Sequence, residues 1–359
     1  MNQTGRIVLD LAPKDGNPRN SEGAFINLKD GRVLFIYSRF NGSDAADNAP
    51  AHLACIESSD KGETWSEEKV VITAEQDHAE NIMSVSAVQM LNGDIGLLYF
   101  IRRGFDDGKE YLRRSSDEGK TWTSPAACVP ARGYYVTNND RVVRLRDGRL
   151  IVPTGYHRTI TGKGKDSETW DGRSTTIFYY SDNDGQTWHE SNLCTLNARE
   201  SHSGLQEPGL IELKNGSLYG WARTDVGVQY EMFSHDRGAT WTAPQPSHFT
   251  SPCSPLSMKR DPETGNLIAV WNPIPEYLTR PKTSAVWNGG RTPLVCSVSC
   301  DDGQSWKDPF ILEDDPARGF CYIAMHFIDD QLMLAYCAGG NSDGGCLNRL
   351  RIRKLPVPR

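Results

Sequence analysis

The chain has 359 residues, including 33 Gly, 20 Pro, nine Trp, thirteen Tyr and eleven Phe, which supplies a large core and many turns and points to an all-β fold. Its formal net charge of −7 leaves no basic excess to release counterions, which argues against nucleic acid or an acidic membrane surface as a partner. No run of residues approaches a membrane span, and the N-terminus lacks the charged and apolar regions of a signal peptide, so the chain as written reads as cytoplasmic, or as secreted or periplasmic if a signal has been removed.

Two short phrases alternate along the chain. The first is a hairpin, with an Asp-Gly or Asn-Gly type turn between apolar runs. It occurs at Leu28 to Leu34, Leu91 to Leu97, Leu145 to Ile151, Leu213 to Tyr219, Glu263 to Ala269 and Ile328 to Leu334. The second is the octet Ser-x-Asp-x-Gly-x-Thr-Trp at Ser58, Ser115, Ser181, Ser234 and Ser299, departing from itself only at Asn183 and Ser305. Its Asp accepts backbone N–H bonds, its Gly supplies a positive φ, and its Trp has an apolar face to bury between neighbouring sheets. The octets therefore read as scaffold turns and not as catalytic acids.

Each unit reads as strand, turn, strand, loop, third strand, octet and a short fourth strand, at about 60 residues per unit. The expected architecture is all-β, a six-bladed β-propeller of four-stranded antiparallel sheets, in a single domain over residues 1–359. The last unit has no octet, and Arg6 to Leu11 is expected to complete its sheet beside Leu350 to Leu355. The nine Cys lie singly, with Cys296 and Cys300 spaced for one face of a strand. They read as small buried hydrophobes, not as disulfide or zinc ligands. No metal or cofactor is expected.

Loops at one end of a propeller axis converge on a shared pocket. The segments before each first strand are unusually polar, running through Arg19 and Glu22, His78, Asn138 to Arg141, His202 to Glu207, Ser251 to Ser254 and Arg318 to Tyr322. Asn139, Asp140 and Gln206 are candidates for reading sugar hydroxyls. His157 and His78 are proton-transfer candidates if the chemistry differs, although His157 reads more simply as a satisfied polar residue at a strand end.

Octets together with six units resemble the sialidase superfamily. Glu207-Pro-Gly-Leu-Ile-Glu followed by Arg223 resembles the segment holding an active-site Glu and the second Arg of a substrate-binding triad; Arg291 stands where the third Arg is expected, and Tyr322 where the family has its nucleophile. In place of the family's Arg-Ile-Pro motif this chain has Arg19-Asn-Ser-Glu-Gly, so Arg19 is the candidate first triad member and Glu22 an additional acid. The acid/base Asp is expected in the loop beginning at Arg39, where both Asp44 and Asp47 qualify; Arg39 itself is a binding candidate.

The resemblance implies an exo-acting glycoside hydrolase releasing a terminal acidic sugar. Three guanidinium forks would take the sugar's carboxylate. Tyr322 would attack with Glu207 taking its proton, and Asp44 or Asp47 would protonate the leaving oxygen. The expected partner is a glycan or acidic monosaccharide. The alternatives are a hydrolase or lyase for another acidic sugar, uronic or ulosonic, and a carbohydrate-binding propeller without catalysis.

Overall fold

A computed structural model describes residues 4–159, 170–274 and 290–359. Among these, the chain folds into four antiparallel sheets of four strands and one sheet of nine. The first sheet is Asn20–Asn27, Val33–Phe40, Ala51–Ser58 and Lys69–Ile72. The nine-stranded sheet runs from Asn81–Gln89 to His189–Glu190, and its two halves meet through one parallel pairing, Tyr134 with Gly108. Gln206–Glu212 opens the next sheet and Ser257–Arg260 the one after. The last comprises Cys321–Ile328, Gln331–Cys337 and Leu350–Pro356, with Arg6–Leu11 added at its outer edge.

All six Gly- or Asp-rich turns join antiparallel strands. The innermost strands form a closed circuit. Asn20–Asn27 touches both Asn81–Gln89 and Cys321–Ile328, while Gln206–Glu212 touches Leu150–Thr159 on one side and Ser257–Arg260 on the other. Ser257–Arg260 in turn touches Cys321–Ile328. Between the halves of the nine-stranded sheet, the amide of Asp140 donates to the Val85 carbonyl at 2.9 Å.

The octets are the turns that their residue types dictate. In the first, Ser58 Oγ accepts from Gly62 N at 2.8 Å, and the Asp60 carboxylate accepts from Thr64 N at 2.9 Å and Thr64 Oγ1 at 2.5 Å. Asn183 keeps the geometry with one polarity reversed, its amide donating to Thr187 Oγ1 at 2.8 Å. Gly62 has φ +85, and a Cβ there would lie 2.3 Å from Met333 Sδ in the adjoining sheet, so only Gly fits both the conformation and the space.

The Trp of each octet closes the seam with the preceding sheet. Trp65 packs between the last sheet and the first, Trp122 between the first sheet and the strands that follow it, and Trp241 between Phe178 and the fourth-unit strands, stacked on Phe178 at 3.8 Å. Trp188 and Trp306 do the same at their seams. The last unit has no octet, and there Phe310, Phe327 and Val357 fill the seam. The Cys are mostly buried as expected, but Cys300 is exposed and lies just past its strand, so it does not share a buried face with Cys296.

Hydrogen bonds from the octet hydroxyls and amides hold the carboxyls of Asp60, Asp117 and Asp301 down to about 2. A folded-state value below the unfolded one, about 3.9, contributes stability that is fully present above about pH 4 and is lost as pH falls through 2. The melting temperature is therefore expected to drop between pH 4 and 2. A variant with Asn at all three positions, which Asn183 shows to fit the turn, is expected to have a flatter melting profile in that window.

Candidate functional site

Four of the innermost strands carry the same irregularity at the same place. Between Ser21 and Ala24, Met83 and Ser86, Gln206 and Gly209, and Cys321 and Ala324, two residues of the inner strand oppose one on its neighbour. Each is a bulge, and in each the residue after the last paired one is left-handed: Glu22 at φ 48, Ser84 at 59, Glu207 at 45 and Tyr322 at 59. For side chains with a Cβ this conformation costs on the order of 1–3 kcal/mol apiece. The result is that all four side chains line one cavity of about 370 Å³.

Tyr322 Oη donates to Glu207 Oε1 at 2.9 Å, and Arg223 Nη1 donates to Glu207 Oε2 at 2.7 Å and to Tyr322 Oη at 3.3 Å. The Arg291 guanidinium lies 5.3 Å from the Tyr322 ring centroid, with Nη1 3.2 Å from Cys321 Sγ. Arg223 ends the strand Leu218–Arg223 and pairs across to Gln206, which also lines the cavity. Burial, and then the charge of Glu207, push the Tyr322 hydroxyl well above its ordinary value, with Arg223 and Arg291 pulling the other way. The phenol is neutral and its proton points at a carboxylate.

On the opposite wall, Glu22 accepts from Ser84 Oγ at 2.5 Å and from Arg19 Nη2 at 2.7 Å. Burial raises its carboxyl to about 7, against the pull of Arg19. Asp47 lines the rim, bonded to Arg19 Nη1 at 2.5 Å. Its side chain is 74% exposed, so solvent relieves the desolvation that would work against its charge, and Arg19, Arg291 and Arg223 together hold it below the usual carboxylate range. His157, buried and hydrogen-bonded to the Asp171 carbonyl, is pushed down to about 4 by burial and so is neutral near pH 7. The remaining wall is apolar, made by Met83, Phe100, Phe105, Tyr134, Val136 and Leu347. Asn138 also lines the cavity, and its Nδ2 is buried with no partner among the described residues.

Several expected site residues lie elsewhere. Arg19 is 1% exposed and does not line the cavity; it sits behind Glu22 and Asp47, 4.4 Å over the Phe40 ring, so it supports the wall and does not face a guest. Asp44 is exposed outside the cavity, its carboxylate accepting from Ala46 N at 2.9 Å in a local turn. Arg39 pairs with Glu68 at 3.4 Å and with Asn41, away from the site. Asn139 is a clamp, donating to the carbonyls of Gly23 and Tyr322. Asp140 faces another cavity, where it bonds Lys259 and the amide of Met325. His78 is exposed at the end of a short helical turn, and His202 is exposed as well. Ser84 and the apolar wall carry no sequence signal of their own, because strand pairing and the bulges bring them together.

Similarity to known proteins follows the same outline. A family model described as BNR repeat-like domain matches residues 54–334. A sialidase of Clostridium perfringens is 23% identical over 376 residues, spanning 93% of this chain and 91% of that one. A sialidase of Bacteroides fragilis is 24% identical over 233 residues, 61% of this chain; this chain spans only 37% of that protein. The crystal structure of the NanB sialidase of Streptococcus pneumoniae superposes with a TM-score of 0.71 at 13% identity, over 99% of this chain and 71% of that one. At such identity the superposition speaks for the fold alone.

Proposed function

The chain belongs to the BNR repeat-like family of the sialidase superfamily, and from that premise we propose that it is a sialidase-type exo-glycoside hydrolase acting on a terminal acidic sugar. The observation that carries the proposal is the Tyr322 hydroxyl, 2.9 Å from Glu207 and 3.3 Å from Arg223 within one cavity. We read the nine-stranded sheet as two units joined at its parallel bridge, which gives six blades and one domain around this site.

In this reading, the guest's carboxylate lies against Arg223 and Arg291. The Tyr322 oxygen attacks the anomeric carbon as its proton passes to Glu207 Oε1, and the bond to the leaving oxygen breaks as Asp47 protonates it. Water then enters, giving its proton to Asp47 while the bond to Tyr322 breaks and Glu207 returns the phenol proton. A neutral Tyr suits an anionic guest, since it adds no charge to repel it. Asp47 is ionised at neutral pH without a guest, but a bound carboxylate offsets the pull of Arg223 and Arg291 and raises its affinity for a proton.

Release of the aglycone from an aryl α-sialoside, followed by a panel of aryl glycosides of other acidic sugars, tests the reading; a folded protein inert towards all of them would sink it. A second guest is favoured by one observation. With Arg19 behind the wall and Glu22 lining it, two Arg and not three among the described residues face the cavity, which suits an acidic sugar other than sialic acid, with Glu22 accepting from a hydroxyl. Asp47→Asn is expected to lower kcat/KM about 10²-fold or more on substrates with poor leaving groups, and far less on nitrophenyl glycosides, whose departure needs no acid. Asp44→Asn should match the wild type on both.

A further inference from the structure

Further along the strands that carry Glu207 and Tyr322, a second cavity of about 530 Å³ opens between Glu212, Lys259 and Phe327. Among the described residues, five cationic side chains line it against two carboxylates. Four of the cations are matched: Arg144 with Asp184 at 2.6 Å, Arg146 with Glu212 at 3.0 Å, Lys259 with Asp140 at 2.7 Å and Arg260 with Asp302 at 2.6 Å.

Arg141 is different. It is 4% exposed, and its Nε and Nη2 are buried with no hydrogen-bond partner among the described residues. Among the described residues only its backbone is tied by hydrogen bonds, the amide donating to Ser86 Oγ at 3.0 Å. The guanidinium lies 5.8 Å from the Trp221 ring centroid, and the indole is itself fixed by a 2.9 Å bond to the Leu256 carbonyl. Burial lowers the Arg141 guanidinium to about 10, against the pull of Glu207, Asp140 and Tyr322, so it remains charged at neutral pH. Leaving a buried charge without a directly bonded counter-charge is strongly unfavourable, and Nη1, the one guanidinium nitrogen not sealed off, can donate a charge-assisted bond to an oxyanion.

We propose that this cavity is a binding site for a small oxyanion-bearing molecule, whose carboxylate, phosphate or sulfate pairs with Arg141 while its body lies along Trp221. The volume falls within the range of ligand sites and exceeds what a bare ion needs. The paired cations around the rim add attraction without competing for Nη1. The site is separate from the Tyr322 cavity and does not depend on the reaction proposed there.

The test uses the whole chain in chloride buffer at constant ionic strength, titrated separately with acetate, inorganic phosphate and sulfate and read by melting temperature. A saturable rise of about 2 °C or more at tenfold excess over half-saturation is expected for at least one of them. The rise should persist in the double variant Arg223→Met with Glu207→Gln, which breaks the cationic pair of the other cavity, and should shrink in Arg141→Met to what that other cavity contributes; which anion acts identifies the group recognised. In chloride alone Arg141→Met should melt at or above wild type, because no internal hydrogen bond is lost. No saturable response to any of the three anions, or an equal response in Arg141→Met, would overturn the site. Should Arg141→Met not fold, wild-type crystals grown with selenate, arsenate or bromoacetate, matching whichever of sulfate, phosphate or acetate raised the melting temperature, decide the matter: an anomalous peak within reach of Arg141 supports the site, and its absence there refutes it.

Discussion

Tyr322→Phe is expected to lower turnover by about three orders of magnitude or more while the protein stays folded. The substitution removes one oxygen. That atom is the proposed nucleophile, and its proton is the one that Glu207 receives. The fold loses one hydrogen bond to a charged group, about 1.5–3 kcal/mol, but Glu207 keeps its pair with Arg223 at 2.7 Å, so no buried charge is orphaned. The measurement is steady-state turnover of whichever acidic glycoside wild type cleaves, alongside a melting curve. Activity within tenfold of wild type would remove Tyr322 from the covalent step, and affinity for the acidic sugar should survive in either case.

Arg223→Met should act the other way, on stability as much as on activity. The side chains of Arg223 and Glu207 are 14% and 11% exposed, and removing one partner of such a pair leaves the other charged in a poorly solvated place. The expected cost is about 3–5 kcal/mol, read as a lower urea midpoint with an unchanged slope. Restoring neutrality with Glu207→Gln in the same chain should recover part of that loss, which a simple packing defect would not allow. Neither the single nor the double variant should bind an acidic sugar measurably, since half of the cationic pair facing the cavity is gone.

The parts of this molecule that were legible in its sequence are those made by neighbouring residues. An Asx-type turn, a glycine with positive φ and an Asp-Gly hairpin are settled within a few positions, so the octets and hairpins fall where their residue types indicate. Glu207, Arg223, Arg291 and Tyr322, singled out by their resemblance to a familiar spacing, do meet in one cavity. Arg19 could not be judged in the same way, because Glu22 and Asp47, which enclose it, do so through a bulge and a loop that no periodicity announces. Asp140 shows the same limit: its left-handed backbone, φ 54, turns it towards Lys259 at the other mouth. Asp44 and Asp47 lie three residues apart, yet Asp44 accepts from Ala46 N in an exposed turn while Asp47 accepts from Arg19 at the cavity rim.

The recurring bulge also bears on how such a molecule can change. One backbone device presents Glu22, Ser84, Glu207 and Tyr322 alike, and the register on either side of it is set by main-chain pairing. A codon change at Ser84 or Tyr322 therefore swaps the functional group held at a fixed point in space, whereas one at Glu22 or Glu207 also removes the partner of a buried Arg. New substrate preferences can arise one socket at a time, on a framework whose stability was secured elsewhere, by the tryptophans at its seams.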